Sequence, residues 1–389
     1  MIIKNVNIVD YKSSFKGNIH VEDGKIKKIE YLKELENKDY EDGLCLMPSF
    51  VDLHFHTRYP GFPLKEDKIS GSKAALKGGY TSICAMANTN PVCDNKELIK
   101  GIKKEYKELD LIDLIQICAV TKNLEGSSLV DFNDIKEETK FFSDDGKTIL
   151  DEQIMIKALK ESKKENFKIL THCQPESLII KRDMKLLKNF GGNLHICHVS
   201  SKESIDEIRR RKDEGLNFSL EVTPHHLFSY DLDYKVNPKI RTKEDVKALI
   251  DAIKDDYIDI IATDHAPHTK EDKLNGSPGI SNIESSFSMI NKVFYDNNID
   301  LKKLSLMMSK RPSNMLNLKS GEIKKNYEAN LVLIDLSKKT FINSANFVSK
   351  GKNTPFDNYE TRGEILFTMK NGNIKYKKEN FDIDSYIEY

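Results

Sequence analysis

Val51-Asp52-Leu53-His54-Phe55-His56 places two imidazoles within an apolar run that is typical of a buried strand. Side chains alternate between the two faces of a strand, so His54 and His56 point the same way while Phe55 points the other way. Two neutral imidazoles at this spacing form half of a divalent metal site. Nine of the ten histidines lie between His54 and His268. We therefore expect the chemistry of this protein in the central part of the chain.

Seven further apolar runs follow this stretch and alternate with amphipathic segments rich in Lys and Glu. Together with the first, the runs cover about residues 50–56, 81–86, 114–120, 140–143, 168–172, 194–199, 218–222 and 258–263. Between them, 96–109 and 150–164 carry apolar residues at helical spacing. Strands that alternate with helices in this way predict an α/β fold of the (β/α)8 TIM-barrel type. We expect residues 49–321 to form this catalytic barrel.

Both ends of the chain instead show short strand-like patterns, and each end has too few apolar residues to form a core separately. The dipeptides Asp23-Gly24 and Asn371-Gly372 each follow a strand-like run and are strong signals for hairpin turns. We therefore expect residues 1–48 and 322–389 to pack together as a small β-sandwich domain that is discontinuous in the sequence.

The composition is that of an ordinary globular enzyme and limits the partners of this protein. Of the 389 residues, 39% are hydrophobic and 31% are charged, and 61 basic residues balance 61 acidic ones. Because nucleic-acid and membrane-surface binding need a basic excess, this balance argues against both. No run reaches the roughly 18 apolar residues of a membrane span, and the start of the chain shows no secretion signal. The six cysteines show no paired spacing, so we expect reduced thiols and a cytoplasmic protein.

Side chains that can bind metal ions follow five of the expected strands. They are His54 and His56 at strand one, Asp144 and Asp145 at strand four, His172 at strand five, His198 at strand six and Asp264 at strand eight. Barrel enzymes build their active sites at this carboxyl-terminal rim. Imidazoles and carboxylates that converge there suit a pair of zinc-like ions with a shared water molecule, which is machinery for hydrolysing an amide.

Nine short motifs spread over most of the chain identify a family. They are DLHFHTRYPG at 52–61, KGGYT at 77–81, MANTNP at 86–91, FSDDG at 142–146, HICHVS at 195–200, EVTPHH at 221–226, KVNP at 235–238, ATDHAPH at 262–268 and SKGKNTPF at 349–356. With these motifs the chain resembles the amidohydrolase superfamily and, within it, the type I bacterial group of dihydroorotases.

This resemblance implies two Zn2+ ions in each subunit. It places one ion on His54, His56 and Asp264 and the other on His172 and His198. An aspartate from the FSDDG motif would bridge the two ions, where many relatives use a carboxylated lysine. Asp144 and Asp145 face opposite sides of the strand, so only one of them is the bridge, and the resemblance favours Asp145.

The same resemblance implies how a small-molecule substrate is bound and converted. Arg58, Asn88 and His268 would bind the substrate carboxylate, and Asn237 would face a pyrimidine ring. A guanidinium fork matches a planar carboxylate, which supports the role of Arg58 independently. Asp264 would act as general base and acid for a metal-bridging hydroxide. The implied reaction is the reversible cyclisation of N-carbamoyl-L-aspartate to (S)-dihydroorotate in de novo pyrimidine biosynthesis.

Two alternatives stay open at this point. One is another cyclic amidohydrolase such as a hydantoinase or allantoinase, but these usually carry the bridging lysine and lack a pair like Arg58 and Asn88. The other is an inactive dihydroorotase-like scaffold partner of aspartate transcarbamoylase. Such proteins have lost metal ligands, whereas all six ligand positions are filled in this chain. The resemblance also leaves open a homodimer and an association with aspartate transcarbamoylase.

Residues beside the motifs carry further expectations. Only one histidine of the HICH stretch can face the barrel interior, so we expect His195 and Cys197 on the face opposite His198. The chain departs from the family pattern at Tyr59, Ala87, Lys239 and the short connection 173–194. These departures remove no expected ligand, but they leave the substrate preference open. Whether the Gly-containing loop 268–280 closes over the substrate is open as well.

Overall fold

The fold alternates short parallel strands with helices in the middle of the chain and places mostly antiparallel strands at both ends. A computed structural model describes residues 1–35 and 43–388. Within these residues the strands are β1 (Ile2–Val9), β2 (Ser14–Glu22), β3 (Lys25–Glu34), β4 (Leu44–Pro48), β5 (Phe50–Phe55), β6 (Tyr80–Ala85), β7 (Asp113–Gln116), β8 (Phe141–Ser143), β9 (Lys168–Thr171), β10 (Leu194–Ile196), β11 (Ser219–Val222), β12 (Ile260–Ile261), β13 (Leu331–Phe341), β14 (Glu360–Lys370), β15 (Asn373–Lys377) and β16 (Ile387–Glu388). The α-helices of the same residues are α1 (Lys68–Lys77), α2 (Lys96–Leu109), α3 (Phe132–Ile135), α4 (Glu152–Glu165), α5 (Glu176–Phe190), α6 (Lys202–Asp213), α7 (Pro224–Phe228), α8 (Lys243–Lys254), α9 (Lys270–Leu274), α10 (Ile283–Asp296), α11 (Leu301–Ser305) and α12 (Arg311–Met315).

The strands from β5 to β12 form a closed parallel barrel. One parallel sheet has the order β5-β6-β7, and a second has the order β12-β11-β10-β9-β8. Single bridges join the two sheets at both seams, between Cys118 and Phe142 and between Phe55 and His265. Each apolar run in the central part of the sequence overlaps one of these strands. The predicted (β/α)8 barrel is therefore confirmed.

Apolar side chains on both sides of the strands stabilise the barrel. Inside it, a buried cluster includes Leu53, Met86 and Leu170. Outside it, α4 shows how the helices form and pack: Asp151 caps its first turn by accepting two backbone hydrogen bonds, and its buried face includes Leu159. Burying one such leucine contributes about 1.5 to 3 kcal/mol to folding.

The two chain ends meet in one mostly antiparallel sheet. Its order is β15-β14-β13-β4-β1-β2-β3, with β16 paired to β1. Both predicted hairpin turns are present, because Asp23 and Gly24 have φ of 48° and 73° and Asn371 and Gly372 have φ of 47° and 74°. The turns also touch, since a Cβ on Gly24 would lie 3.1 Å from the carbonyl oxygen of Asn371. Apolar side chains from both ends then form one buried cluster, which confirms the β domain built from both ends of the chain.

Two features of the described chain bear on the sequence predictions of membrane spans and cysteine chemistry. In the described part of the chain, no helix is both long and apolar enough to cross a membrane. All six cysteines are buried and carry free thiols. The domain boundaries, 1–48 with 322–389 for the β domain and 49–321 for the barrel, stay predictions.

Candidate metal centre and active site

The six residues predicted to bind metal ions meet at the carboxyl-terminal rim of the barrel. His54 lies on β5, and the others follow their strands within three residues, where the chain leaves the sheet. Each of the six side chains is buried; the residues are His54, His56, Asp145, His172, His198 and Asp264. The barrel topology brings these side chains together because the ends of all parallel strands lie on the same face.

Their nitrogen and oxygen atoms form two groups. The atoms of His54, His56 and Asp264 all lie within 4.8 Å of one another, and so do those of Asp145, His172 and His198. In the first group, Nε2 of His56 lies 3.1 Å from Oδ1 of Asp264. In the second group, Nε2 of His198 lies 3.2 Å from Oδ1 of Asp145. The family resemblance implies the same grouping.

Asp145 lies between the two groups. Its Oδ2 atom is 3.3 Å from Nε2 of both His54 and His56. Its Oδ1 atom is 3.3 Å from Nδ1 of His172. The neighbouring Asp144 turns away and accepts hydrogen bonds from the backbone N–H groups of Val120 and Thr121 at 2.8 and 3.0 Å. The two carboxylates therefore face opposite sides, and only that of Asp145 faces both groups.

The electrostatics of the site keep its carboxylates ionised. Burial alone would lower the pKa of His54, but the charges of Asp145, Glu221 and Asp264 raise it well above its ordinary value. Burial alone would raise the pKa of Asp145, but His54 and hydrogen bonds from His172 lower it well below its ordinary value. The opposing charges stabilise one another in a place that water hardly reaches.

The donor set fits zinc-like ions. Imidazole nitrogens and carboxylate oxygens are the ligands that zinc takes in catalytic sites, whereas calcium and magnesium prefer oxygen alone. In addition, Nε2 of His54 is buried and has no hydrogen-bond partner among the described residues, although it points toward the carboxylates. A buried nitrogen without a partner is costly, and a metal ion would satisfy it.

A carboxylate behind His54 was missed by the sequence reasoning. Oε1 of Glu221, on β11, lies 2.6 Å from Nδ1 of His54, and its Oε2 lies 3.1 Å from Nε2 of His195. Nδ1 of His195 lies in turn 2.9 Å from the hydroxyl of Ser219. Hydrogen bonds of this kind fix the orientation of a ligand imidazole. The signal in the sequence was a glutamate between two buried apolar residues of a strand, Leu220 and Val222.

The expected orientation of His195 and Cys197 was wrong. His195 contacts Glu221 inside the barrel, and Cys197 belongs to the apolar cluster of the interior. Strict alternation ends after Ile196, because His198 has a φ of +36° and its chain has already left the strand. His198 therefore reaches the same interior as His195. Burial raises the pKa of the Cys197 thiol well above its ordinary value, which disfavours a thiolate ligand.

Arg58 lies beside His268 at the mouth of the barrel. Its Nη2 atom is 3.0 Å from Nε2 of His268, and its Nε donates a hydrogen bond to the carbonyl oxygen of Pro267 at 3.1 Å. Burial lowers the pKa of Arg58 to about 10, against the charges of Asp264 and Asp145. Burial and the charge of Arg58 lower the pKa of His268 to about 3. The pair thus presents one cation and one neutral imidazole, which suits a carboxylate.

The other two residues predicted to bind substrate lie at the same rim. Oδ1 of Asn88 is 2.9 Å from Nδ1 of His56. Nδ2 of Asn237 is 3.2 Å from Nε2 of His172. All four predicted substrate contacts therefore surround the two metal-binding groups. Tyr59 is one of the positions at which the chain departs from the family pattern. Its hydroxyl donates a hydrogen bond to Glu105 on α2.

Comparisons with known proteins agree with this geometry. The family model named Amidohydrolase family matches residues 45–375. A dihydroorotase of Clostridium botulinum (strain Eklund 17B / Type B) is 44% identical over 97% of this chain and 100% of its own. A dihydroorotase of Bacillus cytotoxicus is 36% identical over 92% of this chain and 94% of its own. The solved L-hydantoinase (dihydropyrimidinase) from Arthrobacter aurescens has a TM-score of 0.85 at 21% identity over 96% of this chain and 95% of its own, which shows a common fold. This chain belongs to the amidohydrolase family and, within it, to the dihydroorotases.

Proposed function

We propose that this protein is a dihydroorotase that reversibly cyclises N-carbamoyl-L-aspartate to (S)-dihydroorotate in de novo pyrimidine biosynthesis. The pairing of Arg58 with His268 beside the metal-binding groups carries this proposal. A guanidinium fork recognises a carboxylate, and both of these substrates carry a carboxylate that takes no part in making or breaking the amide. The relatives named dihydroorotase, which span nearly the whole chain, support the same reaction.

The two groups of ligands would hold two Zn2+ ions, with the carboxylate of Asp145 between them. When bound, the ions would supply an activated water molecule and polarise the amide carbonyl. The proposed ligands are His54, His56 and Asp264 for one ion, His172 and His198 for the other, and Asp145 for both. The proximity of these side chains in the structure supports this assignment.

Asp264 is the proposed general base and acid. In the direction of ring opening, its carboxylate takes a proton from the attacking water and then gives that proton to the ring nitrogen. The water oxygen adds to the carbonyl carbon, the C–N bond breaks, and the ring nitrogen becomes a ureido NH2 group. The new carboxylic acid then releases the second water proton to solvent and ionises. Its Oδ1 atom, 3.1 Å from Nε2 of His56, lies at the edge of the first metal-binding group, where such a shuttle needs to be.

Arg58, Asn88 and His268 would bind the substrate carboxylate, and Asn237 would contact the ring. Arg58 supplies the charge, while His268, neutral because its pKa is low, would donate one N–H hydrogen bond to the carboxylate, which can only accept. These contacts would orient the amide toward Asp264 before reaction. Such orientation contributes a large part of the rate enhancement of an enzyme. We further propose that the enzyme works in the cytoplasm, as a homodimer or with aspartate transcarbamoylase, which light scattering and co-elution would test.

A spectrophotometric assay of the zinc-loaded protein tests the proposed reaction. Dihydroorotate, hydantoin and allantoin are supplied in parallel, and zinc content is measured on the same sample. We expect turnover of dihydroorotate alone. Turnover of hydantoin or allantoin without dihydroorotate would point to another cyclic amidohydrolase, and bound zinc without any turnover would point to a scaffold protein.

A further inference from the structure

Lys273, on the short helix α9, binds three backbone carbonyl groups at once. Its Nζ atom donates hydrogen bonds of 2.9 Å to the carbonyl oxygens of Lys235, Ser277 and Gly279. The ammonium also lies 4.2 Å from the centre of the Tyr234 ring. Among the described residues, no carboxylate forms an ion pair with it. The charge of Lys273 is therefore satisfied by backbone and ring rather than by an acidic partner.

An ammonium group has three N–H donors, and all three are used by these carbonyls. Lys273 has no donor left for a substrate, so its role is to join backbone segments. Burial and the nearby charge of Lys235 lower the pKa of Lys273 to about 8. Keeping this side chain protonated in its place therefore costs free energy. A lysine with no function in this place could turn its flexible side chain into water instead.

The segments that Lys273 joins carry two of the proposed substrate contacts. Lys235 precedes Asn237 by two residues, and the side chain of Asn237 reaches His172. Gly279, at the other end, packs against His268: a Cβ on Gly279 would lie 2.9 Å from Cδ2 of that ring. The adjoining carbonyl oxygen of Pro278 lies 2.9 Å from Nε2 of the same ring. Lys273 thus lies behind both substrate-binding side chains without touching either.

We propose that Lys273 is a positioning residue for substrate binding, which ties the Asn237 loop to the His268 loop and fixes the distance between these two contacts. This inference rests on the proposed function and deepens it. Moving the two loops apart would weaken binding of the ring and its carboxylate together. The metal-binding groups would stay in place, because their side chains lie on or within three residues of the barrel strands and not on these two loops.

The fold does not depend on this one lysine. Nδ2 of Asn353 donates to the carbonyl oxygens of Ala266 and Gly279 at 3.3 and 3.1 Å, and its Oδ1 accepts from the backbone N–H of His268 at 2.8 Å. The His268 loop is therefore anchored to the C-terminal part of the chain as well. Across the gap to the Asn237 loop, the N–H of Gly279 bonds to the carbonyl of Lys235 at 3.1 Å. This single bond would remain when the ammonium is removed.

The test uses the full zinc-loaded protein and three variants. Lys273→Met keeps the aliphatic stem and removes the donors, Lys273→Arg keeps the charge in a planar fork, and Lys270→Met changes an exposed lysine of the same helix. We expect Lys273→Met to raise KM for dihydroorotate about tenfold, the loss of roughly one charged hydrogen bond, with kcat, zinc content and melting temperature nearly unchanged. Lys273→Arg should give a KM between those of the parent and Lys273→Met. It keeps the charge and some donors, but its planar fork cannot donate to all three carbonyl oxygens. Lys270→Met should match the parent.

Two outcomes would overturn the proposal: an unchanged KM in Lys273→Met, or a loss of kcat that follows the melting temperature. Hydrogen exchange adds a readout that needs no activity, because the amide of Gly279 should exchange faster in Lys273→Met than in Lys270→Met. If the parent protein does not open dihydroorotate, the proposed function fails, whereas the exchange rates still decide whether Lys273 ties the loops. Equal exchange in both variants would mean that it does not.

Discussion

Nδ1 of His54 lies 2.6 Å from Oε1 of Glu221, a carboxylate two strands away around the barrel. Both side chains are completely buried. The contact fixes which nitrogen of His54 points up toward the site, because a carboxylate accepts only from a protonated Nδ1. Nε2 is then the nitrogen that gives up its proton and supplies a lone pair when a metal ion binds.

Glu221→Gln should weaken zinc binding about 10- to 100-fold, as is usual when the hydrogen-bond partner of a ligand imidazole is lost. A neutral amide cannot accept from both His54 and His195 as the carboxylate does. Competition with a chromogenic chelator measures the affinity. The matched control is Glu322→Gln, a buried glutamate that pairs with Lys12 of the β domain; equal zinc affinity in both variants would contradict the role of Glu221.

The sequence predicts those parts of the site that follow strand periodicity and barrel topology. The pair His54 and His56 and the opposite orientations of Asp144 and Asp145 come from alternation along the chain, and the shared rim comes from the parallel strands. The position of His195 could not be obtained in this way, because the φ of +36° at His198 ends the alternation. The turn at His198 is set by its surroundings in the folded barrel.

Contacts between segments that are distant in the sequence also escape prediction. Glu221 and His54 are 167 positions apart, and no spacing rule relates two strands that are not consecutive. The three carbonyl bonds of Lys273 depend on loop conformations that carry no hydrophobic period. For this reason the side chains that meet at the rim could be predicted from the sequence, whereas the side chains behind them required the structure.

Asp145→Asn and Asp144→Asn should differ sharply although the residues are adjacent. The carboxylate of Asp145 faces both metal-binding groups, so its amide variant should lose zinc and at least about a hundredfold in kcat. The carboxylate of Asp144 bonds to the backbone of Thr121, so its amide variant should keep its zinc. Elemental analysis and initial rates measure both. Zinc loss in Asp144→Asn alone would reverse the assignment of the bridge.

Asp264→Asn should lower kcat by about 10²- to 10⁴-fold, the usual contribution of a general base. The change preserves the shape of the side chain and one oxygen for a metal ion, but it removes the group that carries the proton. The measurement pairs kcat with zinc content, and a variant that keeps most of its zinc isolates the loss of proton transfer. Full activity in this variant would exclude Asp264 as the base.

Arg58→Lys should raise KM for dihydroorotate about 10- to 100-fold with a smaller change in kcat. A lysine keeps the charge but cannot hold the carboxylate with two parallel bonds and also donate to Pro267, and a charged hydrogen bond is worth about 1.5 to 3 kcal/mol. Inhibition by orotate should weaken in parallel, whereas binding of uracil, which lacks the carboxylate, should not. The control is Arg362→Lys, whose guanidinium stacks on Tyr295. An equal loss for orotate and uracil would contradict carboxylate binding.

Glu176→Gln should reduce stability in a way that depends on pH. Glu176 is buried and accepts hydrogen bonds from the backbone of Ser201 at 3.0 Å and from Nη2 of Arg241 at 3.1 Å, so it joins the loops after three strands. Burial would raise the pKa of its carboxyl group, but side-chain hydrogen bonds from Ser200 and Ser204 and the charge of Arg241 lower that pKa from 4.5 to about 2.

Because the folded state depresses this pKa, the ionised carboxylate stabilises the fold above the unfolded pKa, and that contribution is lost as the pH falls from about 4.5 to about 2. At pH 7 the shift corresponds to at most about 3 to 4 kcal/mol. Urea unfolding should therefore show a clear loss of unfolding free energy in Glu176→Gln at pH 7 and a smaller one at pH 3. Glu203→Gln, on the exposed pair with Lys181, should change stability little because solvent screens that pair. A loss for Glu176→Gln that is equal at both pH values would show that packing, and not the charge, explains it.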